Sequence, residues 1–381
     1  MAIAKTDTEV YRACDARGNV RHGLILTVSD QLGNRGIGEA APLPGYSSET
    51  LDNAADALAD FSYGDLPSFD PAKPWRSQML QTLAPVAAKI PSAAFAIETA
   101  WLDLCGRSNG ASVASLLAAS DTVEGRTIEV NGVIERDELS RSEAVELAEN
   151  LVDEGINRIK IKIGPPFSID EDVQLLTDLR RRFGDKICIR LDANGGWSLG
   201  EAQRALDALC GFDIDYCEQP VSTADLPRFS HPTVPLAADE SLRDLETTAE
   251  LLGCESDDLE WYLAGESGLE TDERNDGRSR ACSVFVLKPM VSGGVLRCER
   301  LAAAASKQGI GVVVTHLFDG PVAHSACCEF AASLAPPPLP CGLAQHRFHD
   351  SWATKTPHIG RAMISSADRH GLGINLKSVP R

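Results

Sequence analysis

Lysine is scarce in this chain. Ten of its 381 residues are lysine, although lysine and arginine together number 36. Arginine is the default cation, so each lysine asks for a reason. Long apolar runs are also missing. No stretch approaches the roughly 18 apolar residues of a helical membrane span, and the first ten residues carry no secretory leader pattern. An excess of positive charge is missing too. The formal net charge is -19, which argues against nucleic acid as a partner and against an anionic membrane surface. Eleven cysteines are present but no Cys-x-x-Cys pair. A reduced, cytoplasmic protein that uses cysteine as a small hydrophobe is expected, with no spacing that supports a structural zinc site.

What remains is ordinary for a large folded protein. Hydrophobic residues make up 43% and charged residues 24%. The length suffices for a barrel plus a smaller domain. The run Leu24-Ile25-Leu26-Thr27-Val28 reads as a strand, and the pattern from Val10 to Gly38 is strand-like. Ser48 is a candidate cap for a helix with Leu51, Ala55, Leu58 and Phe61 on one face. Ser92 is a candidate cap for another helix, stopped by Gly106. Residues 1–125 therefore read as an α+β domain.

Beyond residue 125 the rhythm changes. Apolar strand-length runs at 128–134, 159–163, 187–191, 214–217, 234–237, 284–287 and 311–314 alternate with helical patterns. A weaker eighth run lies at 339–343. Strands roughly 20 to 30 residues apart are the spacing of a (β/α)8 barrel. The expected architecture is a (β/α)8-type barrel over 126–355, an α+β cap over 1–125, and a segment over 356–381 that packs back on the cap. An acidic, Gly-rich stretch at 253–280 reads as a solvated insertion on the bottom face.

The second barrel strand reads Arg158-Ile159-Lys160-Ile161-Lys162-Ile163-Gly164. Its period of two puts the isoleucines on one face and Lys160 and Lys162 on the other. Alone, this fits an exposed edge strand as well as an inward pair of lysines. Inward lysines would repel one another, and burial would disfavour their charge. Both effects lower a lysine pKa.

The strand ends decide. The third strand ends at Arg190-Leu191-Asp192-Ala193-Asn194, the fourth at Glu218-Gln219-Pro220, the fifth at Asp239-Glu240-Ser241 and the sixth at Lys288-Pro289. C-terminal strand ends of a barrel converge on one mouth. Three successive carboxylates are thus flanked by lysine on either side. Asp192, Glu218 and Asp239 form an oxygen-only set suited to Mg2+, with Mn2+ as the alternative. Such an ion makes the α C–H of a bound carboxylate more acidic. Two lysines could then address opposite faces of that carbon. A lysine base near neutrality must be shifted by about 4 kcal/mol, and arginine could not serve.

Lys160-x-Lys162, Asp192-Ala-Asn194, Glu218-Gln-Pro220, Asp239-Glu-Ser241 and Lys288-Pro289 resemble the enolase superfamily, muconate-lactonizing-enzyme subgroup. Gly36-x-Gly38-Glu39-x-x-Pro42-Leu43-Pro44-Gly45 and Ala94-x-x-x-Glu98-Thr99-Ala100-x-x-Asp103-Leu104 are similar as well. Within the subgroup, Pro42-Leu-Pro-Gly-Tyr-Ser and Val286-Leu-Lys-Pro look most like the o-succinylbenzoate synthases of menaquinone synthesis. The resemblance implies Mg2+-assisted dehydration of 2-succinyl-6-hydroxy-2,4-cyclohexadiene-1-carboxylate (SHCHC). It implies Lys162 as the base, Lys160 as its electrostatic helper and Lys288 as a cation on the other face. Asp192, Glu218 and Asp239 would bind the metal. Asn194, Arg190 and His316 are weaker candidates for substrate contact, and the loop from Pro42 to Ser48 would select substrate. The expected partner is a small carboxylate, and a closed homo-oligomer is common for such folds.

Other readings stay open at this point. N-acylamino acid racemase, dipeptide epimerase and muconate cycloisomerase use the same constellation. A dipeptide epimerase would be expected to carry an acidic pair after the last strand, and Pro340-Cys341-Gly342-Leu343-Ala344 has none. An aldolase using Lys288 would leave three acids unexplained. A non-catalytic barrel predicts a lost base or ligand, and none is lost. Three features depart from the family: a first cap strand and mobile loop reduced to residues 9–19, the stretch Thr315-His316-Leu317-Phe318-Asp319-Gly320, and the insertion at 253–280.

Overall fold

The apolar run at 24–28 forms the middle of an antiparallel sheet. In the computed structural model, β2 (Val20–Asp30) lies between β1 (Ile3–Cys14) and β3 (Arg35–Ala40). The structure describes residues 3–118, 123, 126–137, 139–229, 232–271, 281–354, 362–365, 370–376 and 378–380. The first cap strand is not reduced to 9–19. β1 pairs along its length with β2, from Ile3 opposite Asp30 to Cys14 opposite Val20. Its residues 4–10 are exposed on both faces, so no apolar period announces them. Asp15 closes the turn by accepting from the backbone N–H groups of Arg17 and Asn19.

Among the described residues, four α-helices complete the cap: α1 (Leu51–Asp60), α2 (Trp75–Ala87), α3 (Pro91–Asn109) and α4 (Val113–Leu117). Thr50, rather than Ser48, caps α1 through a capping box with Asn53. Ser92 lies inside α3, where its N–H donates to Glu49 at 3.0 Å. Helix α3 is buried from Pro91 through Gly106. β3 presses directly on it. A Cβ on Gly36 would stand 2.2 Å from the Ala100 carbonyl oxygen, and one on Gly38 1.9 Å from that of Ala96.

The barrel elements follow in chain order. They are β4 (Thr127–Glu129), β5 (Gly132–Ile134), α5 (Arg141–Asp153), β6 (Arg158–Lys162), α6 (Ile169–Phe183), β7 (Cys188–Asp192), α7 (Leu199–Leu209), β8 (Ile214–Glu218) and β9 (Leu236–Ala238). Then come α8 (Leu245–Leu252), α9 (Ser256–Leu263), β10 (Val284–Leu287), α10 (Pro289–Ser292), α11 (Val295–Lys307), β11 (Gly311–Val314) and α12 (Pro321–Ser333). Strands β5 to β11 are parallel neighbours in sequence order. The weak eighth run closes the ring. Leu339 and Gly342 N–H donate to Val312 and Val314, while Cys341 exchanges bonds with Glu129 and Asn131. The fold is the expected α+β cap on a (β/α)8-type barrel. The run 128–134 is two strands, because β4 pairs antiparallel with β12 (Met363–Ser365). Farther on, Leu372 N–H donates to Asp103 and the Pro380 carbonyl accepts from Arg12.

Carboxylates from one domain cap helices of the other. Glu39 of β3 accepts from Gly320 and Ala323 N–H at the start of α12, at 2.6 and 3.0 Å. Glu98 of α3 accepts from Val295 and Leu296 N–H, the first turn of α11. Glu329 of α12 returns the contact to Ala114 N–H in α4 at 2.8 Å. The first N–H groups of a helix have no partner of their own, and the helix dipole favours an acid there.

Part of the expected solvated insertion is packed. Leu259 and Leu263 of α9 are buried, and Arg300 of α11 donates to the carbonyls of Tyr262 and Gly265. Residues 272–280 of that stretch lie outside the described residues, as do residues 355–361 around the expected barrel end. Among the described residues no helix is long and apolar enough to cross a membrane.

Candidate active site

β6 resolves its own ambiguity. Ile159 and Ile161 are fully buried against the surrounding helices, and Lys160 and Lys162 occupy the opposite face, half-buried. Strand register then aligns the functional groups. Lys162 pairs with Asp192, Asp192 with Glu218, and Glu218 with Ala237, two residues before Asp239. The three acids are 1–3% exposed.

Two ammonium groups pair with them. Lys160 Nζ lies 2.8 Å from Asp192 Oδ2 and 2.9 Å from Glu218 Oε1. Lys288 pairs with Asp239 and donates to the Tyr46 hydroxyl at 2.8 Å. Tyr46 in turn donates to Asp239 Oδ1 at 3.2 Å, and its ring centroid is 4.6 Å from Lys288 Nζ. Lys162 forms no hydrogen bond or ion pair among the described residues.

These pairings correct one expectation. Burial does oppose the charge of Lys160, but Asp192 and Glu218 outweigh it and hold its pKa well above the ordinary value. Lys288 is raised as well, with Asp239 overcoming burial. Asp192 is lowered: burial works against its charge and Lys160 wins. Glu218 is pushed up to about 8, chiefly by burial and then by Asp192 and Asp239, with Lys160 opposing.

The supporting shell is polar and well connected. Gln219, with φ of 38°, accepts from Asp239 and Ser241 N–H at 3.1 and 3.2 Å and donates to Ser241 Oγ. Asn194 is exposed, and its N–H donates to Asp192 Oδ1 at 3.1 Å. Arg190 does not reach the mouth. It sits one inward-facing layer below Asp192, fully buried, bonded to Asp215, Asn131 and the Pro340 carbonyl. It plugs the barrel under the site. His316 belongs to a ring of four imidazoles. Its centroid is 5.1 Å from His324 and 4.8 Å from His346, and His349 stands 4.8 Å from His324 and 3.8 Å from His346. Its Nδ1 accepts from Phe318 N–H.

Tyr46 was not singled out from the sequence, although its loop was. Its only sequence signal is an aromatic residue inside the Pro-Leu-Pro-Gly loop. Nothing local to residue 46 points to Lys288, 242 residues away.

The donor set fits a divalent ion. Asp192 and Glu218 each place an oxygen on the Lys160 ammonium, so both carboxylates converge on a point that already holds a cation. All three acids are hard oxygen donors. With lysines between them, no three acid, imidazole or thiol groups among the described residues surround a common point at ligand distance.

Comparison with known proteins places this arrangement. The family described as Enolase C-terminal domain-like matches residues 143–258 and 272–379. The chain belongs to the enolase superfamily. Its cap, over residues 10–104, matches the MenC N-terminal domain. An L-Ala-D/L-Glu epimerase of Francisella tularensis subsp. novicida is 25% identical over 81% of this chain and 78% of its own length. An N-succinyl-L-Arg/Lys racemase of Bacillus cereus is 26% identical over 64% of this chain and 59% of its own length. Muconate lactonizing enzyme from Pseudomonas putida superposes with a TM-score of 0.79 at 22% identity, covering 99% of this chain and 97% of that one. That likeness shows the shared fold.

Proposed function

We propose that this superfamily member is an o-succinylbenzoate synthase, which removes water from SHCHC. The observation that carries the reading is the cap. Residues 10–104 match the MenC type, and within them the loop resembling these synthases sets Tyr46 on Lys288 and Asp239.

Asp192, Glu218 and Asp239 would hold Mg2+, which when bound makes the α-proton of a carboxylate more acidic. Lys162 removes that proton. Of Lys160, Lys162 and Lys288 it is the one without an ion pair among the described residues, so no carboxylate holds it as a fixed cation. Now protonated, it delivers the proton to the departing hydroxyl on the same face. The C–O bond breaks, water leaves and the ring becomes aromatic. Lys288 remains on the other face as an ammonium that stabilises developing negative charge. Its pairing with Asp239 and Tyr46 supports a standing cation. Lys160 offsets the charge of Asp192 and Glu218.

A second reading has its own support. The relatives carry the names epimerase and racemase, and lysines on opposite faces suit 1,1-proton transfer. One experiment separates the two. Purified protein with Mg2+ is given SHCHC, N-succinyl amino acids and L-Ala-L-Glu in parallel. Appearance of 2-succinylbenzoate is expected. Silence with SHCHC, together with deuterium exchange at the α-carbon of the others, selects the second reading.

A further inference from the structure

The mouth carries one more cation that no step uses. Arg243 ends the short turn Glu240–Arg243 that follows Asp239. It is exposed, and its guanidinium stacks on Tyr46, 4.7 Å from the ring centroid. It makes no hydrogen bond or ion pair among the described residues. The chain offers 55 acids to 36 basic residues, so acidic partners are plentiful. Arg141, Arg158, Arg182 and Arg228 each hold a carboxylate.

Tyr46 fixes where Arg243 stands. The phenol oxygen bonds to Lys288 and Asp239, and the ring carries the guanidinium. One tyrosine therefore separates Arg243 from the reacting centre. Stacking orients a guanidinium and leaves its N–H edge free. That edge offers paired donors matched to a carboxylate. Because Tyr46 comes from the cap and Arg243 from the barrel, the pair forms only with the loop over the mouth.

We infer that Arg243, held on Tyr46, is the subsite for a second, distal carboxylate of the substrate. One carboxylate sits at the Asp192–Glu218–Asp239 centre and the second, carried on a short flexible arm, on Arg243. The inference rests on the proposed reading of that centre. It deepens that reading by assigning a residue to the succinyl carboxylate that SHCHC and N-succinyl amino acids both carry.

Binding by calorimetry tests it in the presence of Mg2+, without reliance on turnover. The ligands are 2-succinylbenzoate and benzoate, which lacks the second carboxylate. Arg243 is exposed and outside the hydrophobic core, so Arg243→Gln leaves the fold intact. We expect 2-succinylbenzoate to weaken about 10- to 100-fold in Arg243→Gln, as for loss of one charge-assisted contact, with benzoate unchanged. Arg243→Lys, which keeps charge without the fork, is expected to fall between. Equal 2-succinylbenzoate affinity in wild type and Arg243→Gln overturns the subsite. N-Succinyl amino acids are titrated alongside: no turnover of SHCHC by wild type, with N-succinyl amino acid binding weakened in Arg243→Gln, overturns the dehydration reading and keeps the subsite.

Discussion

Glu98 is 1% exposed and holds two N–H groups at the start of α11 from across the domain boundary. Burial pushes its carboxyl up to about 8, against the two backbone donors that favour its charge. Two substitutions separate the cap from the charge. Glu98→Gln keeps the shape and an acceptor but does not titrate. Glu98→Ala leaves both N–H groups buried and unpaired, which costs about 2–4 kcal/mol more than the glutamine variant. The charge enters through pH. With a folded pKa raised from 4.5 to about 8, the carboxyl's contribution is complete below 4.5 and is lost as pH rises to 8. The loss runs at roughly 1.4 kcal/mol per pH unit in that window. Wild type should therefore lose ground to Glu98→Gln steadily between pH 5 and 8. Urea unfolding of the three proteins, followed by circular dichroism at several pH values, reads both effects. A flat difference between wild type and Glu98→Gln across this range would refute the buried neutral acid. Equal stability of the Ala and Gln variants would refute the cap.

Removing the Lys160 ammonium by Lys160→Met leaves Asp192 and Glu218 buried without their counter-ion. The metal-free protein should lose about 3–5 kcal/mol, and added Mg2+ should raise the melting temperature of this variant more than that of wild type. Equal responses to Mg2+ would count against convergence of those carboxylates. The imidazole ring predicts an acid limb. His346 Nδ1 accepts from Phe348 N–H and Nε2 donates to the Asp319 carbonyl, so the ring is neutral. Burial, then His349, His316 and His324, hold its pKa well below 6.5. Stability is complete above 6.5 and falls as pH drops below it, by at most about 1.4 kcal/mol per pH unit for this one proton. His346→Asn should flatten that limb, and an unchanged slope in urea unfolding would remove His346 as its source.

Much of this was legible because strand period and strand order are local properties. The alternation in β6 and the acids at the C-terminal ends of β7, β8 and β9 locate the mouth from spacing alone. Depth is harder to read than face. Arg190 and Asp192 share a face, yet one inward-facing layer separates a barrel plug from a carboxylate at the mouth. β1 escaped notice because an edge strand exposed on both faces has no apolar period. The caps of α3, α11 and α12 come from Glu49, Glu98 and Glu39, so inspection of each helix's own N-terminus names the wrong residue for α3. The imidazole ring and the Tyr46–Lys288 contact join residues far apart in the chain, and no short-range pattern encodes them.

Under the proposed function, Lys162 is the base of a one-sided dehydration. Wild type, Lys162→Ala and Lys288→Ala are mixed with Mg2+ and SHCHC, and 2-succinylbenzoate is followed alongside Mg2+ affinity. Product is expected from wild type and none from Lys162→Ala, with Mg2+ bound equally well by both. Retained turnover in Lys162→Ala would contradict it.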